Sequence, residues 1–346
     1  MVANSPQAIR DAFRLGAPSE TPVTLFGAGQ WSMYQADCSM REAATDPDLM
    51  TDVVLATQRK MPSPIVFVGS GFNNLLIGAM GGRIRYPRLG APEVIMPVVG
   101  DSVDEVDARD LAELDRDPAT YTIRETTRRV ASAVGDSAIV AVTQWGPFTA
   151  AGQMYGLDGF LRATIAHPPT ITTMTDFALR ALKQYYRPLL EQRAIGLISL
   201  ADHSASSDLI SRHTFAKFCL PPLMDFIDWA KRTYRVDTWL HICGDTADKW
   251  DLMIETGAVC VSLDQKVDLA MAKQVCKGRV CLAGNIDPVR VMDQGGIDDV
   301  LAAARRCRDA AGPDGFILTT GCEMTPTTPV GNVQAMMEAN RLAGAR

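Results

Sequence analysis

Two short segments of this chain carry residue types that can do chemistry together: Leu240-His241-Ile242-Cys243-Gly244 and Thr320-Gly321-Cys322. One imidazole and two thiolates make a good zinc set, and three protein ligands leave a coordination position open for substrate. His241 and Cys243 stand two apart, so on an extended strand both face the same side. Cys322 follows Cys243 by 79 positions and closes the set only through the fold. H-x-C alone is a weak pattern, and a buried histidine with two core cysteines is its bland alternative. His241 is one of four histidines, and both cysteines stand beside a glycine that ends a β-forming run, which favours ligands. Two thiolates and an imidazole put much negative charge on zinc, making it a poor generator of hydroxide. Such a site suits an exogenous thiol, whose pKa the metal lowers. Hydrolytic zinc sites use histidines and carboxylates instead. The ligand types favour alkyl transfer involving sulfur over hydrolysis.

The elements that must position these side chains alternate along the chain. Apolar, β-branched runs predict strands at Pro22–Gly27, Pro64–Gly69, Val94–Val99, Ala138–Thr143, Gly196–Ala201, Val236–Cys243, Val259–Asp264, Arg279–Ile286 and Phe316–Gly321. Helical patterns lie between most of them, including Thr175–Arg193, Ser211–Arg232, Thr246–Thr256, Leu269–Val275 and Asp298–Ala311. Strands that are apolar throughout have both faces covered, as in a parallel sheet. Strand-helix repetition over this length predicts a (β/α)₈ TIM barrel with an N-terminal helical extension and inserted loops. Its strand ends then deliver His241, Cys243 and Cys322 to the face where such barrels do chemistry. The loops are expected at Gly69–Pro92, including a short helix within GSGFNNLLIGAMGG, and at Gly100–Thr127. No boundary interrupts the pattern, so residues 1–346 read as a single domain. The N-terminal segment reads as a helix capped by Asn4 or Ser5.

Composition narrows the class. The 346 residues are 47% hydrophobic, with mean hydropathy near zero, and 34 basic against 40 acidic residues give a net charge of −6. No basic block offers a surface for nucleic acid, and no apolar stretch approaches the roughly 20 residues of a membrane helix. The eight cysteines show no CxxC and no framework spacing, which fits core residues, ligands or nucleophiles in a cytoplasmic protein. Cys260 and Cys281 read as buried fillers.

Several longer segments carry a resemblance: GPFTAAGQMYGLDGFL (146–161), ADHSASSDLIS (201–211), HICGDT (241–246), SLDQKVDLAMAK (262–273), LAGNIDP (282–288) and DGFILTTGCEMTPTTPVGNVQAM (314–336). In order and spacing they resemble the uroporphyrinogen decarboxylase-like superfamily, and within it the corrinoid-dependent branch of methylcobalamin:coenzyme M methyltransferases. The match is strong from about residue 140 onward and loose before it. It implies a (β/α)₈ barrel and a zinc triad of His241, Cys243 and Cys322. It further implies a separate corrinoid protein as partner, with methyl transfer between methylcobalamin and a small thiol or pterin acceptor. The opposite direction, demethylation of a methoxy, thioether or halide donor onto the corrinoid, uses the same zinc. A decarboxylase-type lyase is disfavoured because LFGAGQWSMYQ (25–35) carries no arginine where that branch has a basic segment. Gln265 stands where zinc members often have a glutamate able to act as a labile fourth ligand, which sets the usual thiol, coenzyme M, in question. A non-catalytic zinc-binding protein and a homodimer stay open as further readings.

Other positions divide between function and structure. Asp202 and His203 follow a strand and either touch substrate or corrinoid or belong to a helix-capping loop. Asn285 and Asp287 in GNIDP also end a strand, with a turn as the alternative. Asp202, Asn285 and Gln265 are the candidate catalytic residues. Gln30, Trp31 and Asn73 are the candidate cofactor-binding residues, against core packing for Trp31 and turn chemistry for Asn73.

Overall fold

In the computed structural model, which describes residues 4–99, 103, 106, 109–276 and 278–340, seven parallel strands form one sheet with helices packed against it. The strands in chain order are β1 (Ile65–Val68), β2 (Arg83–Arg85), β3 (Glu93–Met96), β4 (Ile139–Trp145), β5 (Leu197–Ala201), β6 (Asp237–Ile242), β7 (Cys260–Leu263), β8 (Cys281–Ile286) and β9 (Phe316–Thr320). The large sheet runs β1-β4-β5-β6-β7-β8-β9, each pair parallel, while β2 and β3 form a separate antiparallel hairpin. Helical connections such as Pro168–Glu191 and Ile297–Ala311 carry the chain back between parallel strands, as such pairing requires.

Side-chain alternation splits the core in two. Ile65, Ile139, Ala141, Leu197, Trp239, Cys260, Cys281, Ala283 and Ile317 form a cluster on one face, with Ile9 and Ala12 of the N-terminal helix Pro6–Phe13 joining it. Their alternates, such as Val66, Val140, Ile198, Leu240, Val261 and Leu282, face the surrounding helices. A sheet whose one face fills itself and whose other face carries helices is curled.

Three expectations are corrected. Pro22–Gly27 is no strand but a single parallel bridge, Val23 to Leu318, because Pro22 has no N–H and the chain turns at Gly27 with φ of 62°. Val94–Val99 does not join the parallel sheet; its first residues form the half-exposed β3, paired with β2. Ser211–Arg232 is not one α-helix: Phe215–Cys219 and Ala230–Tyr234 are π-helical, flanking the α-helix Leu220–Trp229, whose start holds Pro221 and Pro222. Two missing N–H groups there break the regular ladder. The short helix expected in the glycine-rich loop is present at Leu75–Ala79, and Ser5 caps the first helix by accepting from the Ala8 N–H. Of the loop expected over 100–127, residues 100–102, 104, 105, 107 and 108 lie outside the described residues, and the remainder includes the helix Pro118–Val134.

The segment around Val23 is tied to the strands at both edges of the sheet. Thr24 N–H donates to the Leu318 carbonyl (3.1 Å) and Leu318 N–H to that of Pro22 (2.8 Å). On the other side, Ser63 Oγ accepts from Leu25 N–H (3.2 Å), lies 3.1 Å from Thr24 Oγ1 and donates to the Ile65 carbonyl (2.7 Å). Replacing Ser63 by alanine leaves the buried Leu25 N–H without that acceptor. Ser63→Ala is expected to lower unfolding stability by about 1–3 kcal/mol, measured by urea denaturation; an unchanged midpoint would show that Ser63 does not carry this edge.

Candidate metal centre

On β6 the alternation that sends Trp239 into the inner cluster sends His241 to the same side one step further on, at the C-terminal end of the strand. His241 is 2% exposed. Its Nδ1 lies 3.1 Å from Ser262 Oγ on neighbouring β7, which leaves Nε2 facing Cys243 Sγ at 3.0 Å. Immediately after Cys243, Gly244 turns the chain with φ of 75°, and its N–H donates to Asp264 Oδ2 at 2.8 Å. A side chain at Gly244 would meet Ser206 Oγ and Asp208 Oδ2 within 2.6 Å. The end of β9 is held as closely: a Cβ on Gly321 would lie 2.5 Å from the Gln265 backbone nitrogen. That approach brings Cys322 Sγ to 3.3 Å from Cys243 Sγ.

Among the described residues, His241, Cys243 and Cys322 place three metal-ligand atoms within 4.8 Å of one another. A tetrahedral zinc with these ligands needs ligand-ligand separations of roughly 3.5–3.8 Å, so the set fits once the His241–Cys243 and Cys243–Cys322 contacts each open by about half an ångström. The Ser262 contact at Nδ1 is the kind of outer partner that fixes a ligating imidazole. Hydrogen bonding from Cys243, and then from His241, holds the Cys322 thiol well below its ordinary range. Cys243 is pushed well up, by sharing that same hydrogen bond and by burial.

Around this cluster the structure places the other expected residues differently. Gln265 packs over Gly321 beside Cys322, and its buried Oε1 has no hydrogen-bond partner. Gln30 reaches Glu323, the residue after Cys322. Trp31 is turned away into the core, where its indole N–H donates to the Thr328 carbonyl at 2.8 Å. Asn73 is buried, with Oδ1 unpartnered. Asn285 donates to the carbonyls of Asp264 and Val267, both at 3.0 Å, and so orders the turn that carries Asp264 and Gln265. Asp202 is fully buried and accepts from the N–H groups of Thr149 (2.7 Å) and Phe148 (3.4 Å), at the start of the helix Pro147–Tyr155. Its carboxylate therefore works as a helix cap supplied from another segment.

Sequence reasoning missed Glu323, Ser262 and Asp264. Glu323 is pushed up to about 7 by burial and by the Cys322 thiolate beside it, with Gln30 and Ser70 hydrogen bonds acting the other way. Its position directly after a candidate ligand was the available signal. Ser262 and Asp264 could have been found from the alternation of β7, since both share the phase of Cys260.

With the centre described, comparison with known proteins can be stated. The uroporphyrinogen decarboxylase (URO-D) family model matches residues 4–342, and the chain belongs to that family. It is similar to the methylcobamide:CoM methyltransferase of Methanosarcina mazei, 31% identical over 217 residues, a stretch covering 63% of this chain and 62% of that protein. The matched stretch is thus under two thirds of that relative's length. A methylcobamide:CoM methyltransferase of Methanosarcina barkeri is 27% identical over 315 residues, covering 89% of this chain and 88% of the relative. A solved methyltransferase from Methanosarcina mazei superposes with a TM-score of 0.86 at 24% identity, covering 99% of this chain and 100% of that one, and shares the fold.

Asp202 provides a pH test of this architecture. Burial raises its pKa to about 6, against hydrogen bonds that pull it down. In the folded protein it therefore holds a proton at pH values where an unfolded carboxyl, with pKa near ~4, has lost it. Its contribution to stability falls as pH rises between those values and is level above them. Relative to Asp202→Asn, the wild type is expected to lose about 2–3 kcal/mol between pH 4 and pH 7. Denaturation of both proteins across that range checks this, and a constant difference would mean an ordinary carboxyl.

Proposed function

We propose that the protein is a zinc-dependent methyltransferase that moves a methyl group between the corrinoid of a partner protein and a small acceptor, a thiol or a pterin. The observation that carries the reading is the convergence of His241, Cys243 and Cys322 at strand ends of a URO-D-family fold. The names of the methylcobamide:CoM methyltransferase relatives support the corrinoid and the direction. In this reading the segment around Val23 stands in for the eighth strand, and the sheet is a closed (β/α)₈ barrel forming one domain.

His241 Nε2 and the two sulfurs would hold the metal, Ser262 would fix the imidazole, and the Asn285-ordered turn would set Gln265 against the open side. Zinc supplies a lowered pKa to a thiol bound at its open position. The chain's share is then to hold that sulfur in line with the methyl carbon and to keep bulk water from the buried ligand set. A corrinoid presented to this site would supply the labile methyl carbon and would act as the leaving group, keeping the electron pair of its bond to that carbon. Gln265 brings no formal charge to the centre, so net ligand charge stays lower than a carboxylate there would make it.

Purified protein is expected to hold about one zinc per chain, with a Cys322→Ser variant losing it or binding it far more weakly. The zinc protein should demethylate methylcobalamin in the presence of a small thiol, followed by the cobalamin spectrum. Absence of zinc after supply of metal and reductant would refute the metal reading; zinc without any cobalamin change across thiols and pterins would refute the transfer.

A further inference from the structure

We propose that the crevice where the sheet's strands begin, at the end away from the candidate metal centre, binds a small phosphate-bearing anion. Such a site stands apart from the methyl-transfer chemistry.

The crevice has a volume of about 800 Å³, within the range of small-molecule sites. Ile139 of β4, Gly196 just before β5 and Asp237 of β6 line it, at the strand ends opposite those leading to His241 and Cys243. Phe13 and Val259, both packed against the inner apolar cluster, supply an apolar wall. Five basic side chains converge there: Arg10 and Arg14 from the N-terminal helix, with Arg193, Lys231 and Arg235. Against them stand two acids, Asp136 and Asp237, and Asp237 is already taken by Lys231. Five against two leaves a net of three positive charges, in a chain whose own net charge is −6.

Among the described residues, Arg10, Arg14, Arg193 and Arg235 make no ion pair and no side-chain hydrogen bond. Two of them stand on unfavourable backbone. Arg193 has φ of 53° and Arg235 φ of 59°, in the left-handed region where glycine is favoured. Glycine would serve better at both positions if only the turns mattered.

The competing explanation is that these arginines merely offset the carbonyl ends of helices. Arg14 caps the helix Pro6–Phe13 and Arg235 the π-helix Ala230–Tyr234, while Arg193 stands two residues past the helix Pro168–Glu191. The helix Pro118–Val134 also ends at the crevice, at Gly135. Each helix end brings about half a negative charge, so four ends offset about two of the three and the crevice stays positive. An arginine presents a planar fork of donors that matches phosphate oxygens. A phosphate group, with three acceptor oxygens, engages more of four such forks than a carboxylate with two.

Pyrophosphate is the probe, titrated calorimetrically at low ionic strength into purified wild type and four variants. Glycine suits the backbone at both turns, so Arg193→Gly/Arg235→Gly is expected to fold and to melt no lower than wild type. It should bind pyrophosphate at least about tenfold more weakly. Arg14→Gln leaves both turns untouched and should weaken binding about threefold or more. Arg305 and Arg306 are exposed on the helix Ile297–Ala311. Their double change to glutamine removes the same charge elsewhere and should leave Kd within about twofold. Cys322→Ser should bind as wild type does, placing the site away from the metal centre. Absence of binding by wild type overturns the proposal. Undiminished binding by both crevice variants does so too, assigning the arginines to the helix ends alone. Equal weakening in Arg305→Gln/Arg306→Gln, or loss of binding in Cys322→Ser, likewise removes the site from the crevice. Malonate binding as tightly as pyrophosphate would overturn the phosphate assignment.

Discussion

The whole centre hangs on the two-residue period of β6. Because Trp239 must fill the inside of the curled sheet, His241 must point the same way one step nearer the strand's C-terminal end, and Cys243 follows it. Phe26 then spans both levels, stacked on Trp239 with centroids 5.6 Å apart and edge-on to His241 at 5.2 Å. A one-residue slip would move the indole, the imidazole and the thiol together to the helix-covered face. The apolar payload of Trp239 thus anchors the register that the chemistry needs. Function at the strand end is specified by packing in its middle.

Around the ligands, small residues and polar partners work as a set. Gly244 and Gly321 allow backbones and carboxylates to come closer than any side chain would permit. The space they free is occupied by Asp208 and Ser206 beside Gly244 and by Gln265 beside Gly321. Asp202 and Asn285, although placed at strand ends, spend their hydrogen bonds on backbone groups and hold loops in place. Glu323 brings a fully buried carboxyl next to Cys322, met by Gln30 and Ser70. The surroundings of the thiolates are therefore polar, ordered and poor in positive charge among the residues that make these contacts.

Much of this was legible in the sequence because it depends on local pattern. The apolar runs marked all seven parallel strands, and H-x-C with Gly-Cys marked the three residues that converge at their ends. What stayed hidden depends on tertiary contact. Nothing local tells that Asp202 will find the N-terminus of a helix begun more than fifty residues earlier, or that Trp31 will seek a carbonyl at Thr328. Pro22–Gly27 and Val94–Val99 have the composition of strands, but composition does not say whether a neighbour is free to pair. The π-helical turns around Leu220–Trp229 depend on two prolines inside an otherwise helical pattern. Their presence was visible; the way the backbone absorbs them was not.

The candidate ligands come from β6 and β9, which are not neighbours: β7 and β8 lie between them. An ion gripping His241, Cys243 and Cys322 would therefore be a strut across half the sheet, closing a long loop of chain with a single bond set. A strut of that kind couples the centre to the fold by mass action, since whatever binds only the folded arrangement also holds it together. The availability of metal would then govern how long the architecture lasts as well as how fast it works.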